Sequence, residues 1–271
     1  MTGAGDRALQ DALIRLLADA PFREALASLD SPVAYAGVPV EHLAVLRSAD
    51  AERVRRFARF LARQFYHERI AHFHRYARAL ARWTGRTPEH ALGGERFTAL
   101  LPKVVLGSRQ TARAVAHLVA DELGDSPNAP GYFGDLVRYS NAQMIIEAGP
   151  RVWSTNDLLP AVTLASRLTM TDDATVERFE WDLPAVLPAL RALDAGATGA
   201  PRAPRRDIAL LIARSPRGRV TVLRWSDALE AFAKILDGSS PLSDAARAAG
   251  ISEQEVLAIA GALVDAGAAR A

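Results

Sequence analysis

Apolar residues near the start of the chain recur at helical spacing. Leu9, Leu13, Leu16 and Leu17 follow a 3.6-residue period, and Pro21 splits residues 6–29 into two short predicted helices. Pro32 and Gly37 mark a loop, and Pro39 opens a further helical run at a first-turn position that suits proline. One long amphipathic helix is predicted from Asp50, its cap, to Trp83. Val54, Phe57, Leu61, Phe65, Phe73, Tyr76 and Leu80 trace its apolar stripe, arginines fill its other faces, and Gly85 and Pro88 stop it. Helices near 95–101, 109–123 and 131–148 complete a first region that reads as all-helical.

The pattern changes after Pro150. Val162 to Thr169 carries β-branched residues, Thr175 to Leu183 alternates, and Asp172-Asp173 between them suits a turn, so a hairpin is predicted. Leu183 to Leu193 reads as a short helix, and the small, Gly- and Pro-rich residues 194–206 as a linker. Asp207–Ala213 and Arg219–Arg224 then form two strands around the turn Ser215-Pro216-Arg217-Gly218. Ser226 caps a helix that ends at Asp237-Gly238, and Pro241 and Leu242 open a second one, closed by Gly250. Ser252 and Glu255 form a capping box for a third helix, closed by Gly267. The fold class is therefore α+β. A helical region spans 1–150, hairpin and linker 151–200, and a strand–turn–strand–helix–helix–helix unit 201–271.

Composition narrows the chemistry. With 49% hydrophobic residues and a mean hydropathy of +0.01, the chain is not globally disordered. The absence of cysteine excludes disulfides, Cys-based metal sites and Cys nucleophiles. No stretch reaches the ~20 apolar residues of a membrane span. The start, Met1-Thr2-Gly3-Ala4-Gly5-Asp6, lacks the basic and apolar regions of a secretory signal. The expectation is a cytoplasmic protein without a membrane partner. Charge is uneven: residues 47–86 hold eleven arginines against three acids, residues 202–224 seven arginines against one acid, and residues 225–271 seven acids against three bases. The basic zones suit an acidic partner.

Motifs for catalysis are missing. His67, Glu68, His72 and His74 share one predicted helix, but the Glu-x-x-His pairs of a di-iron helical enzyme are absent. No Gly-x-Ser-x-Gly, Walker A or His-Glu-x-x-His pattern occurs. No catalytic residue, metal site or cofactor is expected. The C-terminal unit has two mechanical readings. As a winged helix on DNA, its recognition helix would start at Ser252, yet that helix carries no Lys or Arg through Val264. As a peptide-binding winged helix, the edge of the strand Arg219, Val220, Thr221, Val222, Leu223, Arg224 would take up an extended peptide, with Leu257 and Ala260 of the third helix beside it.

Residues 207–267 resemble the PqqD-like leader-recognition domain of ribosomal peptide natural-product pathways. The resemblance lies in the hairpin, Trp225-Ser226-Asp227-Ala228 entering a helix, Ile235-Leu236-Asp237-Gly238, Leu242, and Ala262-Leu263-Val264-Asp265-Ala266-Gly267. Upstream, Phe65-Tyr66-His67-Glu68-Arg69, Tyr76-Ala77-Arg78-Ala79-Leu80, Leu101-Pro102 and Leu106-Gly107-Ser108-Arg109 look like the partner proteins of multinuclear non-haem iron oxidases. The resemblance implies a non-catalytic partner that binds the leader of a precursor peptide and presents its core to a separate iron oxidase. Strand 219–224 would hold the leader, and the helical region would dock the oxidase, with Arg55, Arg59, Tyr66, His67 and Arg69 as contact residues. Nucleic acid is not an expected partner; the alternative is a winged-helix transcriptional regulator, and an autonomous di-iron oxidase is a third reading.

Overall fold

The periodicity at the start of the chain becomes helices α1 (Gly3–Ala18) and α2 (Ala20–Ser28). The break falls at Asp19, not at Pro21. The Asp19 carboxylate accepts from the Phe22 N–H at 2.9 Å, and Pro21 sits in the first turn of α2, where no N–H is needed. Pro39 stands just before α3 (Val40–Arg47). Asp50 caps α4 (Ala51–Phe73) as its sequence position predicts, accepting from the N–H groups of Glu52 and Arg53. The single long helix expected to run on to Trp83 is instead three pieces: α4, α5 (Arg75–Ala79) and α6 (Ala81–Thr84), broken at His74 and Leu80 without any glycine or proline. Short 3-10 turns at Pro88–Leu92 and Leu101–Lys103 flank α7 (Glu95–Leu100), and α8 (Arg109–Gly124) and α9 (Phe133–Glu147) follow.

The next elements are β1 (Thr169–Met170), β2 (Ala174–Trp181), α10 (Leu183–Arg191), β3 (Arg205–Arg214) and β4 (Val220–Trp225). They are followed by α11 (Asp227–Ala233), α12 (Leu242–Ala249), α13 (Glu253–Ala266) and β5 (Ala269–Arg270). The computed structural model describes residues 3–28, 38–124, 126, 128–149, 161–193 and 197–270. The loop expected at Pro32 and Gly37, residues 150–160 and the first part of the linker, 194–196, lie outside them.

The architecture is mixed α+β, mostly helical with a small antiparallel sheet. It divides into two units, Met1–Arg78 with Arg86–Asp125, and Ala79–Gly85 with Ser126–Ala271. This differs from boundaries at 150 and 200, because α9 and β2 belong with the C-terminal elements. The expected hairpin across Asp172-Asp173 does not form. β1 pairs with β5, whereas β2 pairs with β3 in a sheet of order β2-β3-β4. Most of Val162–Thr169 is not strand: the Leu164 and Ser166 carbonyls accept from Ser243 and Leu242 N–H, satisfying groups that the first turn of α12 leaves unpaired.

Each face of the sheet buries one set of alternating side chains. Leu211, Ala213 and Trp225 face the helices after β4, in a core with Phe232, Leu242, Val256, Ala260 and Leu263. Leu210, Ile212 and Phe179 are buried on the other face, where Tyr139 of α9 packs edge-on against Phe179 at 6.2 Å. The unit at the start of the chain has its own core, with Ala12 and Leu16 of α1 against Phe22, Leu26, Leu43 and Leu46.

Two glycines are required by geometry. Gly218 (φ +78°) completes the β3–β4 turn, where its N–H donates to the Ser215 carbonyl at 2.7 Å. Gly267 (φ +80°) ends α13, and a Cβ there would lie 2.0 Å from the Arg214 carbonyl oxygen.

Candidate functional site

The β3–β4 hairpin sets which backbone groups face outward. The Ser215 N–H donates to the Arg219 carbonyl at 2.8 Å. Bonded and non-bonded pairs alternate along an antiparallel ladder. The register therefore makes Ala213–Thr221, Leu211–Leu223 and Ala209–Trp225 the bonded pairs. Val220, Val222 and Arg224 turn their N–H and C=O groups to the outer edge. The far side of β3 agrees: the Arg214 N–H donates to the Asp173 carbonyl at 3.0 Å, so the alternate positions of β3 bond to β2. Among the described residues no strand pairs with the outer edge of β4.

The opposite edge is treated differently. The buried Asp135 of α9 accepts from the Glu180 N–H at 2.8 Å and the Trp181 N–H at 3.2 Å. Arg138, one turn on, donates to the Arg178 carbonyl and lies over the Phe179 ring at 5.1 Å. Side chains of one helix thus occupy the C-terminal half of the β2 edge.

Val220, Thr221, Val222 and Leu223 are half-buried, and Arg219 and Arg224 exposed. Arg224 is committed elsewhere: its guanidinium donates to Asp182 at 2.8 Å, and Arg206 pairs with the same carboxylate. Burial of Asp182 works to raise its pKa, but the hydrogen bonds and charges of Arg224 and Arg206 outweigh this and hold it below the usual carboxylate range. Arg219 has no side-chain partner among the described residues. A cleft of about 720 Å³ opens where β4 runs into α11, lined by Arg138, Arg178, Arg206, Arg224 and Trp225 among others. Its four arginines are each paired, to Asp135, Glu230 and twice Asp182, so the cleft is not a bare anion site.

Leu257 is half-buried on α13, as a flanking residue would be. Ala260 is not: it is fully buried in the core under the sheet and has no surface to offer a peptide. The same correction applies to Tyr66 in the helical unit, which is 0% exposed with Phe65 and Phe97 edge-on at 5.0 and 6.5 Å. Of the other expected docking residues, Arg59 and His67 are exposed. Arg55 pairs with Glu24 at 3.3 Å, and the Arg69 guanidinium lies 3.5 Å from the Phe65 ring centre. His67 and His72 are exposed and His74 is buried, so α4 and its cap do not gather them around one point. Among the described residues no group of three or more His, Asp or Glu is placed to hold a metal ion, and no helix is long and apolar enough to cross a membrane.

No protein-family model matches the chain, and no curated protein matches it in sequence.

Proposed function

We propose that the chain is a non-catalytic, peptide-binding adaptor. It takes the leader of a ribosomally made precursor peptide as an added strand on β4, and its helical region docks a separate iron-dependent oxidase that modifies the peptide's core. Residues 207–267 are read as a PqqD-like winged helix. The observation that carries the proposal is the asymmetry of the sheet. The C-terminal half of the β2 edge has hydrogen-bonding groups taken up by Asp135 and Arg138 of α9, while Val220, Val222 and Arg224 present theirs outward. Such an edge binds extended peptides through main-chain hydrogen bonds. The element order strand–turn–strand–helix–helix–helix supports the reading. So does the exposed first turn of α13, Glu253, Gln254 and Glu255, which would repel DNA phosphates from a recognition helix.

Amide hydrogen exchange tests this, with a short peptide encoded beside the gene as the probe. Bound leader should slow exchange at Val222 and Arg224, and Val222→Pro should weaken binding ten-fold or more, about 1.4 kcal/mol. Unchanged exchange with nanomolar binding to duplex DNA would give the chain to the regulators instead.

A further inference from the structure

We propose that the exposed aromatic face of α4 is a docking surface for a protein partner whose matching surface is an apolar socket rimmed with carboxylates. The inference takes from the adaptor reading only that a second protein binds the helical unit. Phe57 and Phe60 are 50% and 60% exposed and stack on each other, with ring centres 6.4 Å apart and planes 20° from parallel. Two large aromatic rings left in water on one helix mark an interaction surface more often than scattered apolar residues do.

The arginines of α4 divide into two sets. Arg53 pairs with Asp50 at 3.2 Å, Arg55 with Glu24, Arg63 donates to the Leu92 carbonyl at 2.7 Å, and Arg69 covers Phe65. Arg56 and Arg59 are exposed and have no ion-pair or hydrogen-bond partner among the described residues. Arg56 stands one turn before Phe60 on the same face, and Arg59 stands one turn after Arg56, on the side away from Phe57. The surface is thus an aromatic centre with uncommitted guanidinium groups at its margin, an arrangement enriched at protein interfaces.

The charge pattern selects among occupants. Arg53 and Arg55 are paired with Asp50, Glu24 and Glu52, Arg63 is bonded to the Leu92 carbonyl and Arg69 covers Phe65, so α4 offers two separate free guanidinium groups and no continuous basic track. The continuous phosphate field of a membrane or nucleic acid calls for such a track, whereas a protein surface can place its carboxylates opposite Arg56 and Arg59 alone. A second copy docked by two-fold symmetry would bring the same unpaired arginines together.

The test starts in cells of the native host, with the photocrosslinker p-benzoylphenylalanine in place of Phe60 and, as a control, of the exposed Arg113 on α8. The protein captured at position 60 and not at 113 is then purified and titrated against the full chain. Binding should weaken ten-fold or more for Phe57→Ser/Phe60→Ser and for Arg56→Glu/Arg59→Glu. It should also weaken as sodium chloride rises from about 0.05 to 0.5 M. All four positions are exposed, so both variants should retain the parent's circular dichroism. Crosslinks only to a second copy, to nucleic acid or to nothing overturn the proposal. So do binding that survives both double variants and tight binding to phosphatidylserine vesicles that Phe57→Ser/Phe60→Ser abolishes. Leader binding to the same variants separates the two ideas: leader bound without docking removes the α4 surface alone, while docking without leader removes the adaptor reading and leaves this surface standing.

Discussion

The edges of the three-stranded sheet invite direct comparison. β2 and β4 are both outer strands of the same sheet, paired antiparallel to the same central strand, and each leaves alternate amides facing away from it. On β2 a neighbouring helix supplies a carboxylate and a guanidinium that take up those groups near the strand's end. On β4 the nearest charged side chain, Arg224, is instead drawn sideways to Asp182. An unpaired edge carries a standing risk of uncontrolled pairing, which proteins limit by covering it or placing charges on it. Here the C-terminal half of one edge is covered by a helix, while among the described residues no strand pairs with the other.

Four measurements can break or sharpen that contrast. The largest effect is expected from Thr221→Pro, which removes an N–H that bonds to β3. It should cost about 3 kcal/mol or more in urea unfolding, whereas Val222→Pro, whose N–H points outward, should cost much less. Equal losses would mean that the assignment of outward groups is wrong. Next, Asp135→Ala leaves the Glu180 and Trp181 N–H groups without their acceptor and should lose about 2–3 kcal/mol. Asp135→Asn keeps one carbonyl oxygen and should recover part of it. Light scattering should show Asp135→Ala self-associating, with the β2 edge now open; a monodisperse variant would mean that the helix does not protect that edge.

Asp182→Asn should lose about 2 kcal/mol at neutral pH, because two guanidinium groups lose a buried anionic partner. The folded state holds Asp182 below the ordinary carboxylate pKa of ~4. Its contribution is therefore fully present above that value and is lost as pH falls through the lower folded one. The stability gap between parent and Asp182→Asn should narrow below about pH 4, and a gap independent of pH would mean that packing, not charge, sets it. The smallest effect, a few tenths of a kcal/mol at most, is expected for Arg219→Gln, whose side chain has no partner to lose. That substitution should leave unfolding unchanged while reducing any salt-dependent attraction of an acidic peptide.

Much of this was legible in residue order. Local signals were dependable: the caps at Asp50, Ser226 and Ser252, the turn closing on Gly218, and the helix ends at Gly250 and Gly267 all stand where local chemistry puts them. Non-local pairing was not. Val162–Thr169 and Thr175–Leu183 have strand-like composition, but nothing in that composition says that the second pairs with residues some thirty positions on and the first hardly at all. The expected apolar stripe holds at Phe73, Tyr76 and Leu80, which are buried, but at Phe57, Leu61 and Phe65 it was misjudged by one position. The buried face is Ala58, Ala62, Tyr66, Ile70 and Phe73, since alanines permit close approach where phenylalanines would not. That misreading hid both Phe57 as a surface residue and Tyr66 as a core one. The outward-facing set on β4 could not be read from sequence, because either alternation satisfies the same pattern until one bond in the hairpin fixes the phase.

The spacing of Val220, Val222 and Arg224 has a consequence for information. Amide groups are the same in every residue, so an edge that offers only amides binds without reading. Whatever discrimination it achieves must come from the walls beside it, and those meet an extended occupant at every second residue. On the proposed strand-addition reading, a library of candidate peptides sorted on this protein would therefore show preference at one parity and indifference at the other. On the same reading, grafting β4 alone onto another sheet would transfer affinity while leaving selectivity behind.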